Sequence, residues 1–268
     1  MQRFLFPYIG NRLVNEVTAP EILAALRIVE ARGLNDTAHT ALQTCGQAFR
    51  YAIAAGYAER NPAADLRGAL APVVRKHNAS LTEPGQIAEL LRAMHSFQGS
   101  EVVRLALWFS AYTFGRPGEI RHAEWTEFDL NRAEWKIPAE KMKMRRPHIV
   151  PLSKQVLELL NPLQVITGRG RYTFPSIRSI KGIDPMSENT ITAALRRLGF
   201  GKGEMTAHGF RSMASTNLNE QGWAPDVIER QLAHVEGNSV RAAYNYAEYL
   251  PERRRMMQSW ADWLDALI

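Results

Sequence analysis

Apolar residues recur every three or four positions through most of this chain, and one central block alternates instead. In the first third, Thr18-Ala19-Pro20-Glu21 is a helix start that leads into Ile22, Leu23, Leu26 and Val29. Asn35-Asp36-Thr37 opens a second helix, in which Leu42, Cys45, Phe49, Ala52 and Ile53 keep the helical period until Gly56, a C-cap. Before Thr18, Met1 runs straight into Arg-Phe-Leu-Phe-Pro with no helix expected to pack on the later ones. From Glu59 to Glu83 the periodicity dissolves, and the basic part around Arg75, Lys76 and His77 reads as an interdomain linker.

Thr82-Glu83-Pro84 opens the second pattern, a helix through Leu90, Leu91 and Met94, followed by another over residues 101–112 with Val102, Leu105, Trp108 and Phe109 inward. Residues 125–130, 135–138 and 148–152 read as short strands of an antiparallel sheet, with a basic hairpin over residues 141–146 between the last two. Helices resume at Ser153, again over residues 187–198, and run nearly continuously from Thr206 to the end. The expectation is a mainly α protein with a small antiparallel β-sheet: a helical domain over residues 1–75 and a mixed α+β domain over residues 76–268.

Composition narrows the partners. The 268 residues, 46% of them hydrophobic, can supply two cores. The single cysteine, Cys45, sits on an apolar helix face and reads as a buried thiol. No apolar run approaches the roughly 20 residues of a membrane helix, and no signal-peptide core stands at the start, so the expectation is a reduced cytoplasmic protein. A formal net charge of +6 and a pI near 9.6 favour a polyanionic partner. A glycine-rich phosphate loop and zinc-ligand spacing are both missing from the sequence, so no nucleotide cofactor and no metal is expected.

The polar groups left over fall in a suggestive order. Arg116, in Gly115-Arg116-Pro117-Gly118-Glu119, follows a buried helix and either reaches a pocket or forms a helix-end ion pair with Glu119. His208 and Arg211 lie one helical turn apart after the possible cap Thr206, so both can meet one phosphate while Phe210 turns inward. The alternative is a helix cap followed by a solvated arginine. A lysine of the 141–146 hairpin can reach a groove and donate a proton, or be part of a solvated turn. His234 ends a helix through Val227, Ile228 and Leu232, as a cap, a packed histidine or a catalytic group. Of Tyr244, Tyr246 and Tyr249, one hydroxyl can be a nucleophile towards phosphorus and the others packing residues.

That order, Arg, then His-x-x-Arg, then His, then Tyr, resembles the tyrosine recombinase (phage integrase) family, over nearly the whole chain and with most similarity to prophage integrases of the satellite-phage type. The most specific stretches are Gln231-Leu232-Ala233-His234-Val235, Ala243-Tyr244-Asn245, Ala247-Glu248-Tyr249-Leu250 and Arg253-Arg254-Arg255-Met256-Met257. The resemblance implies a helical core-binding domain plus a catalytic domain that cuts DNA through a covalent 3′-phosphotyrosine, for integration or excision of a mobile element. By it, Arg116, His208 and Arg211 cradle the phosphate, Lys143 is the general acid, His234 assists, Tyr244 attacks, and Glu119 supports. Tyr246 stands where the family pattern has arginine.

The resemblance further implies double-stranded attachment-site DNA as the partner, a homotetramer on DNA formed from free monomers, accessory DNA-bending proteins, and nucleoid association without a membrane. An arm-binding domain and the first core-binding helix are not in this sequence, so it reads as truncated. A catalytically impaired DNA-binding remnant is the alternative. The amphipathic last segment, with Trp260, Trp263, Leu264 and Ile268, either docks on a neighbouring protomer or packs on its own domain.

Overall fold

Helix starts and stops in the first unit follow from local chemistry. In the computed structural model, which describes residues 3–73, 79–179, 182–234 and 249–268, the chain divides into two units, Met1–Lys76 and His77–Ile268. Helix α1 is a single turn, Phe6–Ile9, where no helix is expected from the sequence; Pro7 lies in its first turn and Leu5 is buried beside it. Helix α2, Ala19–Glu30, starts at Thr18, whose backbone N–H and hydroxyl both donate to the Glu21 carboxylate at 2.8 Å. Helix α3, Asn35–Ala54, ends where Gly56 adopts φ +76° and Tyr57 N–H donates back to Ala52 O at 2.8 Å, the closing bond of a Schellman turn.

Ile22, Leu26 and Val29 of α2 meet Ala38, Cys45 and Phe49 of α3 in one core, closed by Leu66 and Leu70. Burial pushes the Cys45 thiol up to about 11, so it stays protonated at neutral pH as an apolar group. A 3₁₀ turn, Ala64–Leu66, leads to a segment pinned on α2, with Arg27 donating to Ala69 O and Ala71 N–H donating to Glu30.

The second unit is built round one helix. Helix α4 is Pro84–His95 and α5 is Glu101–Thr113; in α5 every residue from Leu105 to Thr113 is buried, so it has no solvent face over that stretch. It touches α4, α6 (Pro117–Arg121), α7 (Lys154–Thr167), α8 (Thr190–Arg197), α9 (Gly209–Glu220) and α11 (Leu250–Asp265). Beside it lies a three-stranded antiparallel sheet in the order β1-β2-β3: Phe128–Asp129, Glu134–Ile137 and His148–Pro151. Trp135 pairs with Phe128 and Val150 in register, and its ring stacks on Phe128 at 5.7 Å and meets Phe109 of α5 at 5.4 Å.

Two further sequence expectations change, and one left open is decided. The strand expected over residues 125–130 shrinks to Phe128–Asp129, because Trp125–Glu127 winds into a 3₁₀ turn. Distant groups take that segment's polar atoms: Trp125 Nε1 donates to Thr167, Trp125 N–H to Arg171 O, and Lys141 and Trp135 both donate to Glu127. The near-continuous helix expected after Thr206 is interrupted at Gly222, φ +82°, which separates α9 from the short α10, Pro225–Gln231. The last segment packs on its own unit: α11 touches α5, α10 and β3, with Trp260, Ala261 and Leu264 fully buried.

Candidate active site

Two turns without a helical glycine cap build one corner. At the end of α5, Phe114 takes the left-handed conformation, φ 40°, which swings the chain so that Arg116 stands just before α6. A Cβ on the intervening Gly115 would lie 3.2 Å from Ile120 and 3.3 Å from Trp135, so glycine lets the loop run against the core. At the end of α10, Ala233 is also left-handed, φ 49°, and His234 N–H donates to Glu229 O at 3.1 Å. That turn presents the carbonyls of Leu232 and Ala233.

Both arginines reach these carbonyls. The Glu119 carboxylate accepts from Arg116 N–H at 3.0 Å and from Arg116 Nη1 at 2.6 Å, while Arg116 Nη2 donates to Ala233 O at 2.9 Å and Leu232 O at 3.3 Å. The helix-end ion pair and the inward reach of Arg116 thus coexist. Arg211, 4% exposed, donates through Nη1 to Phe114 O at 2.9 Å and through Nη2 to Leu232 O at 2.5 Å. Burial, then the neighbouring Arg116 charge, lowers its pKa to about 10, with Glu119 and Glu229 opposing.

The histidines frame the same corner. His234 Nε2 lies 3.3 Å from Arg211 Nη2, and its Nδ1 lies 2.7 Å from Glu229 Oε2. One neutral tautomer satisfies both contacts, with the proton on Nδ1 and Nε2 accepting from Arg211. His208 has helical dihedrals immediately before α9, and Thr206 Oγ1 accepts from Gly209 N–H at 3.0 Å. Partial burial, then Arg211, Arg116 and His234, holds the His208 pKa below the usual 6.5, so its neutral form prevails at pH 7. Two guanidiniums that share the Leu232 carbonyl, with the buried Glu119 carboxylate paired to only one of them, leave a positive corner suited to a tetrahedral oxyanion.

The structure therefore brings together Arg116, Glu119, His208, Arg211 and His234. Lys143 is exposed on the segment before β3 and makes no hydrogen bond to that corner among the described residues. Tyr244 and Tyr246 lie outside the described residues. Tyr249 is described: it precedes α11 at φ 45° and packs partly buried against the core. Among the described residues no group of three or more His, Cys, Asp or Glu side chains is placed to hold a metal ion.

Sequence reading missed the groups behind the corner. Glu229 was invisible as the partner of His234 because five residues is not a helical spacing; only the Ala233 turn brings them together, and no glycine signals it. His148, at the start of β3, places Nε2 3.1 Å from Gln231 O. Arg253, fully buried on α11, donates through Nε and Nη2 to Gln231 Oε1 at 2.9 and 2.7 Å and through Nη2 to Ile149 O. Gln231 at the foot of the corner is thus gripped from two sides.

His148 gives that grip a pH dependence. Burial, then Arg253, lowers its pKa to about 3, with Arg230 and Arg116 adding to the effect. In the folded state it stays neutral, whereas the unfolded histidine takes up a proton below about 6.5. Its contribution is therefore complete above that pH and is lost progressively as pH falls towards 3. Between pH 7 and pH 5 the loss is expected to be about 2 kcal/mol. All six tryptophans lie in the second unit, so urea unfolding followed by their fluorescence isolates it. His148→Asn should flatten the difference between the two pH values; an equal difference in both proteins would refute the assignment.

Comparison with known proteins agrees with this geometry. Residues 1–69 match the phage integrase central domain, and residues 81–250 match the phage integrase family. The chain belongs to the phage integrase family, the tyrosine recombinases. It is 40% identical over 280 residues to the integrase of Enterobacteria phage P4, covering 99% of this chain and 63% of that protein. It is also 40% identical over 266 residues to the prophage integrase IntA of Escherichia coli (strain K12), with the same coverage of 99% and 63%. The chain thus spans 63% of the length of these two relatives.

The fold is shared with solved integrases. A lambda integrase dimer bound to a COC′ core site superposes with a TM-score of 0.66 at 23% identity, covering 86% of this chain and 83% of that one. The Tn1549 transposon integrase in complex with circular intermediate DNA gives 0.63 at 15% identity, covering 95% and 91%.

Proposed function

We propose that this protein is a site-specific recombinase that cuts and rejoins double-stranded DNA through a 3′-phosphotyrosine, to integrate or excise a mobile element. The observation that carries this reading is the convergence of Arg116, Arg211 and His234 on the turn that ends α10, with His208 in the same field of charge. Two guanidiniums there can bind the non-bridging oxygens of a phosphodiester and stabilise the charge that grows on them during attack. Family membership supports Tyr244 as the nucleophile, entering from the segment that follows His234.

The reaction is a transesterification. The Tyr244 hydroxyl gives up its proton to neutral His208, its oxygen bonds to phosphorus, the bond from phosphorus to O5′ breaks, and Lys143 protonates O5′. Reversal with a different 5′ hydroxyl joins new partners, and the phosphotyrosine conserves the bond energy, so neither nucleotide nor metal enters a step. Lys143 is favoured over Lys141 because Lys141 is held by Glu124 and Glu127, whereas Lys143 is exposed and makes no ion pair among the described residues. The helical first unit serves as the core-type DNA-binding domain and the second as the catalytic domain. Attachment-site DNA, assembly of a tetramer on it, help from DNA-bending proteins and action in the cytoplasm at the nucleoid complete the proposal. Net charge +6 suits the polyanion.

The test is a nicked duplex carrying the attachment site, mixed with the purified protein and run on a denaturing gel. A covalent protein–DNA adduct is expected, lost in Tyr244→Phe and kept in Tyr246→Phe. Salt-sensitive binding without any adduct would identify a DNA-binding remnant instead; an adduct lost only in Tyr246→Phe would move the nucleophile.

A further inference from the structure

Lys141, which the reading above leaves without a role, is the most heavily engaged lysine near the reactive hairpin. Its Nζ donates to Glu124 Oε1 at 2.6 Å, to His122 O at 2.8 Å and to Glu127. Each acceptor is itself held. Arg171 donates to Glu124 Oε1 and forms an ion pair with Oε2, and Trp135 Nε1 donates to the other oxygen of Glu127 at 2.9 Å from within the buried sheet. Arg171, and after it Lys141, keep Glu124 ionised down to about pH 2. Burial works against the charge on Lys141, yet Glu124 and Glu127 outweigh it and raise the lysine's pKa.

The sequence around it turns this bond into a clamp. Lys141 ends a 3₁₀ turn, Ala139–Lys141, and the next side chain, Met142, is 6% exposed and joins the main core. Residues 143–147 are then all exposed, with Arg145 in the left-handed conformation, φ 51°, before His148 goes back into the core. The segment is therefore gripped at Lys141 and Met142 on one side and at His148 on the other. Lys143 is the first residue free of the grip.

We propose that Lys141 is a positioning residue: its ion pairs with Glu124 and Glu127 fix the base of the hairpin and so set where the Lys143 ammonium can stand when it protonates the departing O5′. This inference rests on the recombinase reading. A basic stretch that looks like one turn is thus divided by burial into an anchor, Lys141, and a reactive group, Lys143. The sequence alone cannot make that division, because the acceptors Glu124 and Glu127 precede the lysine by a whole strand pair.

A sulfur-substituted substrate separates positioning from mere support of the fold. When sulfur replaces O5′ at the scissile phosphate, the bond to phosphorus breaks with departure of a thiolate, which needs no proton. Adduct formation is measured on oxygen and sulfur duplexes with the full chain, Lys141→Met, Glu124→Gln and the benchmark Lys143→Ala. Lys143→Ala should lose about 100-fold or more on the oxygen duplex and recover on the sulfur duplex. Lys141→Met should lose about 10- to 100-fold on oxygen and return to within about threefold of the unsubstituted protein on sulfur. Glu124→Gln, which keeps an acceptor but removes the charge, should show a smaller loss with the same recovery, and it decides the question if Lys141→Met does not fold. Undiminished cleavage of the oxygen duplex, or an equal loss on both duplexes, would overturn the positioning role. Absence of adduct from the unsubstituted protein on both duplexes would instead strike down the recombinase reading itself.

Discussion

Arg211→Lys is expected to slow DNA cleavage about 1,000-fold while leaving one positive charge in place. The arginine fork bonds two carbonyls that belong to different turns, Phe114 O after α5 and Leu232 O after α10, and the same Nη2 lies beside His234. A lysine ammonium on a flexible stem cannot span both and still aim a donor at the phosphate. The carbonyl it abandons is left in a buried corner, at a stability loss of about 1–3 kcal/mol. DNA affinity should change far less, by under about tenfold, since on the proposed recombinase reading this arginine is one of many phosphate contacts that share the binding. Single-turnover adduct rates beside a binding titration make the comparison. Cleavage by Arg211→Lys within tenfold of the parent would mean that charge alone suffices there and that the fork has no special function.

The His-x-x-Arg pair was legible because helical spacing is a local property: His208 and Arg211 sit one turn apart, although His208 rather than Thr206 takes the N-cap position and Thr206 accepts from Gly209 N–H just ahead of it. Helices α4 and α5 and the strands β2 and β3 were legible for the same reason, each being stated by periodicity within a few residues. Arg116 was readable as a chemical type, although its two possible fates, ion pair or pocket, turned out to be simultaneous because one guanidinium has donors enough for both. Trp125–Glu127 was misread as strand because its geometry is decided by Thr167, Arg171 and Lys141, far along the chain. Glu229 and Arg253 went unread as parts of the site because their roles depend on an alanine adopting a left-handed turn and on α11 packing across Gln231. Local rules do not reach that far, and they equally left open where the last helix would go.

Trp260→Ala is expected to destabilise the second unit by about 4 kcal/mol. The indole is fully buried, stacks on Trp263 at 5.1 Å, meets Phe114 edge-on at 6.2 Å and donates from Nε1 to Ala111 O at 2.9 Å. Removing it leaves a large cavity against α5 and an unsatisfied carbonyl. Trp260→Phe, which keeps most of the packing and loses the hydrogen bond, should cost about 1–2 kcal/mol. The substitution also reaches the site, since Phe114 holds the strained turn whose carbonyl accepts from Arg211. Cleavage by the folded fraction of Trp260→Ala should therefore fall as well, in proportion to how far that turn relaxes. The same experiment tests the packing of the last helix on its own unit. A helix that leaves its own unit to dock on a neighbouring protomer contributes nothing to the free protein, and Trp260→Ala would then leave the urea midpoint unchanged; a large shift at low protein concentration means that α11 completes the core of its own chain and braces the arginine corner from behind.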